Sequence, residues 1–138
     1  MAFNILIVDD SHVTRSMIAR TIKMAGVPVG ELYNAENGQG ALDVLRSNWV
    51  DLVLADINMP VMDGMEMLEK MSRDPELRSV PVVIVSTEGS ETKLEKMRQM
   101  GMRAFVKKPF MPDRIREVMR EVLGGWEEGG EDVSSDSF

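Results

Sequence analysis

The sequence contains no cysteine and a single histidine, His12. The first absence excludes a disulfide framework, a thiol nucleophile and a Cys-ligated zinc, and one imidazole cannot build a multi-histidine centre. Any metal must be held by oxygen. No apolar run is longer than a few residues and the Met1-Ala2-Phe3-Asn4 start carries no basic residue. Neither a membrane span nor a signal peptide is expected, and the cytoplasm is the expected location. No glycine-rich loop ends in Gly-Lys-Ser/Thr, which excludes P-loop nucleotide chemistry, and no internal repeat is present.

What is present is an ordinary globular mixture. The 138 residues are 43% hydrophobic and 28% charged, the size and composition of one domain. The net charge of −7 is unevenly divided. Residues 1–92 carry 7 basic and 14 acidic side chains, residues 93–126 carry 9 basic and 4 acidic, and residues 127–138 carry 5 acidic and no basic ones. An acidic total with only a modest basic third argues against nucleic-acid binding, which needs a cationic footprint.

Apolar runs alternate with stretches of helical period. The runs are Ile5-Leu6-Ile7-Val8, Glu31-Leu32-Tyr33, Leu52-Val53-Leu54-Ala55, Val82-Val83-Ile84-Val85 and Ala104-Phe105-Val106. Three are continuous and rich in β-branched residues, as in strands buried on both faces of a parallel sheet. Between them Val13, Met17, Ile18, Thr21, Ile22 and Ala25 recur at three- and four-residue spacing, as do Met65, Leu68, Glu69 and Met71, and Ile115, Val118, Met119, Val122 and Leu123. Ser11 and Ser90 stand where helices are capped, Gly26, Gly101 and Gly124 where they stop, and Pro81 opens a strand. Roughly five strands alternating with five helices imply right-handed βαβ crossovers and a doubly wound sheet with helices on both faces. The methionines fall mostly on apolar helix faces and read as core packing.

In such a sheet the loops at the strand carboxyl ends converge, and ligands bind where strand order reverses. Those loops carry Asp9-Asp10, Asp56-Ile57-Asn58-Met59-Pro60, Ser86-Thr87-Glu88 and Lys107-Lys108-Pro109-Phe110. Gathered carboxylates repel and need a cation; Mg²⁺ suits one or two carboxylates with waters and phosphate oxygens, and Asn58 offers a backbone carbonyl. Lys108 adds a point charge and Ser86 a hydroxyl. Carboxylate, metal, lysine and hydroxyl are the parts that stabilise a phosphoryl group in transfer. Each residue alone has a plain reading as a cap, a turn or a solvated charge. All four strand ends carrying one does not.

ILIVDDS, LVLADINMPVMDG, VVIVSTEGS and AFVKKPF resemble, in order and separation, the signature segments of response-regulator receiver domains across residues 3–124. The resemblance implies a flavodoxin-like sheet of order 2-1-3-4-5. It implies phosphorylation of Asp56, and a metal site of Asp9 (partly through water), Asp10, Asp56 and the Asn58 carbonyl. Lys108 then contacts the phosphoryl group, Ser86 and Phe105 act as switch residues, and Asn58 and Glu88 tune dephosphorylation. Phe105 stands where many members have Tyr, and Ser86 where Thr is common. Expected partners are a sensor histidine kinase or phosphotransfer protein, and a target protein on the face of the fourth helix, fifth strand and fifth helix. Asn58, Glu88 and the lack of an output domain resemble the chemotaxis type. The expected division is a receiver domain over 1–124 and a flexible acidic tail over 125–138, which either meets the basic third or merely solubilises.

The alternative is a Mg²⁺-dependent aspartate-nucleophile phosphatase of the haloacid-dehalogenase type. That chemistry usually places a second Asp two residues after the first, where this chain has Asn58. Asn37-Gly38-Gln39-Gly40 suggests a dinucleotide fingerprint, but its third glycine would fall on Asp43, so a turn and helix start is the better reading. His12 reads as an exposed first-turn residue, Trp49 as a packing residue, and Trp126 as an exposed start of the tail.

Overall fold

The computed structural model describes residues 2–126. The strands are β1 (Phe3–Val8), β2 (Val29–Ala35), β3 (Leu52–Ala55), β4 (Val82–Ser86) and β5 (Met102–Lys107); the helices are α1 (His12–Met24), α2 (Gly38–Ser47), α3 (Gly64–Arg73), α4 (Glu91–Gln99) and α5 (Pro112–Leu123). All strand pairs are parallel, in the order β2-β1-β3-β4-β5. The doubly wound expectation is borne out. Residues 127–138, the bulk of the expected tail, lie outside the described residues.

Alternation along the buried strands divides the apolar side chains between two cores. Leu6, Val8, Val53, Ala55 and Ile84 face one core with residues of α2, α3 and α4. Ile5, Ile7, Leu52, Leu54, Val83 and Val85 face the other with α1 and α5. Period-two strands buried on both faces thus account for the continuous apolar runs.

Local signals set the ends of the helices. Ser11, Asn37, Asp63 and Ser90 each accept a backbone hydrogen bond at an N-cap, a contact whose loss costs about 1 kcal/mol. Pro112 opens α5 without a side-chain cap. Gly26, Gly101 and Gly124 take φ of 80°, 102° and 82°, the left-handed conformation that glycine adopts without penalty.

Three expectations are corrected. Val13 and Met17 are 67% and 63% exposed, because the buried face of α1 is carried by Ile18, Ile22 and Ala25. Trp49 is 77% exposed, with its indole Nε1 donating to Asp51 Oδ1 at 3.0 Å. Trp126 is half-buried, its ring edge-on to Phe3 at 6.1 Å and beneath the Arg120 guanidinium at 4.9 Å.

Candidate phosphoryl-transfer site

Chain reversal puts α1 and α2 on opposite faces, so a crevice opens beyond the carboxyl ends of β1 and β3. Asp9 follows β1 and is buried; Asp56 follows β3 with its side chain 15% exposed. Lys108, just beyond β5, reaches both: its Nζ donates to Asp9 Oδ2 at 2.9 Å and to Asp56 Oδ2 at 3.2 Å. The other oxygens are held by backbone, Asp9 Oδ1 by the Ser11 N–H at 2.9 Å and Asp56 Oδ1 by the Ile57 N–H at 2.7 Å. Two carboxylates in a confined crevice are thus tolerable, because an ammonium and two amides neutralise and orient them.

Burial works against the Lys108 ammonium, but the hydrogen bond to Asp9, the charges of Asp56 and Asp9 and the hydrogen bond to Asp56 outweigh it, and its pKa stands above the usual 10.5. Ser86 closes β4, is buried, accepts from the Glu88 N–H at 3.2 Å, and offers its carbonyl to the Lys108 N–H at 3.0 Å. The fourth and fifth strand ends are therefore tied together by backbone as well as by chemistry.

Asn58 and Glu88 meet at the mouth, Nδ2 to Oε1 at 2.8 Å, with Lys93 Nζ 3.0 Å from the same oxygen. The Asn58 hydrogen bond and then the Lys93 contact hold the Glu88 carboxyl below its ordinary range. Phe105 is half-buried, and a Cβ added to Gly89 would sit 2.7 Å from its Cζ, so the β4–α4 loop lies directly against this ring.

Asp10 and His12 are exposed. Among the described residues no three His, Asp or Glu side chains form a group able to hold a metal; Asp10 stays at the rim while Lys108 joins the other two carboxylates. The donor chemistry still suits Mg²⁺, since these are hard oxygen ligands and the ion needs only one or two carboxylates beside waters.

Asn37 caps α2 and Gly38 packs beneath Met62, which accounts for that glycine pair without a nucleotide. Sequence reasoning missed two contributors. Arg15 Nη1 donates to the Asp9 carbonyl at 2.5 Å and steadies the end of β1, and Lys93 steadies Glu88. Charged residues one turn into α1 and α4 were the available signal for both.

The model of the response regulator receiver domain matches residues 5–120. The chain belongs to the response-regulator receiver family. A chemotaxis protein CheY homolog of Campylobacter jejuni is 32% identical over 121 residues, covering 87% of this chain and 92% of the relative. The polar-differentiation response regulator DivK of Brucella anthropi is 32% identical over 124 residues, covering 90% and 98%. Among solved structures, CheY4 of Vibrio cholerae superposes with a TM-score of 0.79 at 29% identity, covering 89% of this receiver and all of that chain. A CheX–CheY–BeF₃–Mg complex from Borrelia burgdorferi gives 0.78 at 27%, covering 88% and 89%. The receiver is of the chemotaxis-like kind within two-component signalling, and the comparisons lend no support to the phosphatase alternative. Receivers of this kind act as signalling switches, not as enzymes with turnover on an external substrate.

Proposed function

We propose that this receiver accepts a phosphoryl group on Asp56 from the phosphohistidine of a sensor kinase or phosphotransfer protein. The observation that carries the proposal is the Lys108 bridge between Asp9 and Asp56 at the C-terminal edge of the sheet. An Asp56 carboxylate oxygen attacks phosphorus as the phosphorus–nitrogen bond breaks, and the imidazole leaves with the electron pair. Lys108, which already donates to Asp56, and the buried Ser86 hydroxyl at the end of β4 would serve as donors to the transferred oxygens, so positioning and charge supply the catalysis. Mg²⁺, held by Asp10, Asp56 and the Asn58 carbonyl with Asp9 acting through water, would neutralise the phosphoryl charge.

Once phosphorylated, Asp56 presents its new oxygens to Ser86 and Lys108. Movement of Ser86 towards them frees space for Phe105, and the altered face of α4, β5 and α5 is what a target protein reads. Asn58 and Glu88 set how long the phosphoryl group survives. Among the described residues no helix is long and apolar enough to cross a membrane; action in the cytoplasm fits the partners named.

The test is incubation with acetyl phosphate and Mg²⁺ followed by intact-mass and peptide analysis. One phosphoryl group should appear, on Asp56, and be absent from Asp56→Asn. Equal labelling of that variant would overturn the assignment.

A further inference from the structure

Helix α1 and the edge strand β2 leave between them a depression of about 320 Å³, lined by His12, Arg15, Ser16, Ala19 and Asn34. Asn34 follows Leu32 by two residues, and Leu32 packs on the α1–α5 side of the sheet, so strand alternation puts both on that face. Four of the five lining side chains can donate a hydrogen bond: an imidazole, a guanidinium, a hydroxyl and a carboxamide. None is a carboxylate. A second depression along α1 shares Ser16 and Ala19 and adds Arg20 and Lys23, again without an acid. Residues 11–30 contain no Asp or Glu.

Arg15 makes the depression more than a charged surface. Its Nη1 donates to the Asp9 carbonyl, which fixes the guanidinium against the end of β1, while its Nε is buried without an acceptor among the described residues. That nitrogen belongs to the guanidinium edge that meets an oxyanion through two parallel hydrogen bonds. The side chains of His12, Ser16 and Asn34 make no hydrogen bond among the described residues and are free to turn to a ligand. The carboxylates nearest in sequence do not compete. Asp9 holds Lys108 and the Ser11 N–H, and the exposed Asp10 and Glu36 do not line the depression.

We infer that this depression is a site for a phosphate group, either free inorganic phosphate or the terminal group of a phosphate monoester, held by Arg15 with His12, Ser16 and Asn34. A tetrahedral oxyanion points oxygens in several directions and so uses donors that approach from both a helix and a strand. The other exposed cations lack this company. Arg78 lines a mostly apolar depression with Leu68, Met71, Leu77 and Val82. Lys70, Lys96, Arg103 and Lys107 are exposed and make no ion pair among the described residues, so charge alone would draw an anion to them equally. What they do not share is the pocket of neutral donors. Through Arg15 a bound phosphate is felt at the end of β1, but the site is separate from Asp56 and needs none of its chemistry.

The test is a titration of the isotope-labelled full chain with inorganic phosphate and, separately, with glycerol 3-phosphate, without added divalent ion and against chloride at matched ionic strength. Amide signals of residues 12–19 and the Asn34 side-chain amide should move saturably with phosphate or its ester and stay in place with chloride. The tighter of the two identifies the source that the site prefers. Asn34→Asp, nearly isosteric, and Ser16→Asp, both at exposed positions, each exchange a donor for a carboxylate and should weaken binding by about tenfold or more, the scale of one charge-assisted hydrogen bond. Lys96→Ala/Arg103→Ala should leave it unchanged. Shifts centred on residues 96–107 and lost in that double variant, shifts centred on Asp56, Ser86 and Lys108, shifts that chloride reproduces, no saturable shift, or full affinity in both carboxylate variants would each overturn the inference.

Discussion

Asn58 Nδ2 donates a 2.8 Å hydrogen bond to Glu88 Oε1, joining the loop after β3 to the loop after β4 across the mouth of the acidic crevice. On the proposed function, a water that attacks a phosphoryl group on Asp56 would approach past this pair. Replacing Asn58 and Glu88 together by alanine should change the self-dephosphorylation rate about tenfold, or roughly 1.4 kcal/mol in barrier height. Decay of the labelled protein after donor removal measures it, and an unaltered lifetime removes the pair from the mechanism. The depressed Glu88 pKa adds a pH arm: a carboxylate held below its ordinary 4.5 stabilises the folded loop above that value and releases it as pH falls through the lower folded value. The Asn58–Glu88 contact should therefore persist at pH 4.5, visible in the Asn58 side-chain amide signals.

The features legible in the sequence are those that follow from short-range rules. Continuous apolar runs identified β1, β3 and β4 because burial on both faces leaves no room for alternation, and each cap residue named from its type makes its cap bond. The meeting of Asp9, Asp56 and Lys108 was legible because a parallel sheet delivers its strand ends to one edge. What escaped was decided by orientation. Val13 and Met17 fit a helical period but lie opposite the stripe that packs, and their spacing alone does not say which of two apolar stripes faces inward. The two tryptophans exchange their expected places because a loop ring is buried only if a neighbour is shaped for it: Phe3 and Arg120 receive Trp126, and Asp51 holds Trp49 outward. Arg15 and Lys93 were missed since a long charged side chain has no pattern of its own.

Lys108 links stability to alkaline pH. Its pKa is raised in the folded protein, so its contribution is complete below the unfolded value of 10.5 and lost as pH rises through the folded one. The pair is partly buried, between exposed pairs worth about 0–1 kcal/mol and buried ones whose disruption costs about 3–5 kcal/mol. Lys108→Ala should therefore cost about 1–3 kcal/mol at pH 7, and the gap from the parent should narrow above pH 10.5. Urea midpoints across that range check it; parallel curves would separate Lys108 from the alkaline transition. If Lys108 reads the phosphoryl group as proposed, the same variant should show weakened phosphorylation-induced amide shifts at Ser86 and Phe105.

Gly64 occupies the first turn of α3 with no room for a side chain. A Cβ there would run into the Asp56 carbonyl oxygen and lie 3.0 Å from Ile57 Cα, both backbone atoms that cannot rotate away. The Gly64 N–H also donates to the Ile57 carbonyl at 2.7 Å, so the helix start is clamped to the end of β3. Gly64→Ala should lower stability by about 1–3 kcal/mol, the usual cost of overpacking, and slow Asp56 phosphorylation by displacing its strand end. Denaturant midpoints and acetyl-phosphate labelling rates report the two effects, and a variant normal in both would show that this contact relaxes without cost.

Gly89 presses on Phe105 in a way that permits a different test. Its added Cβ would stand 2.7 Å from Phe105 Cζ and 3.1 Å from Cε2. Here the obstacle is the far end of a ring that can turn about its side-chain torsions, so the ring moves and the backbone stays. If Phe105 follows Ser86 on phosphorylation, a ring already displaced has less distance left to travel. Gly89→Ala should therefore shift the Phe105 ring resonances of the unphosphorylated protein and reduce the further shift that beryllium fluoride produces, while Asp56 is still labelled at the parent's rate. Ring resonances coinciding with the parent's in both states would mean that the loop yields instead, and that Phe105 is not held in place by Gly89.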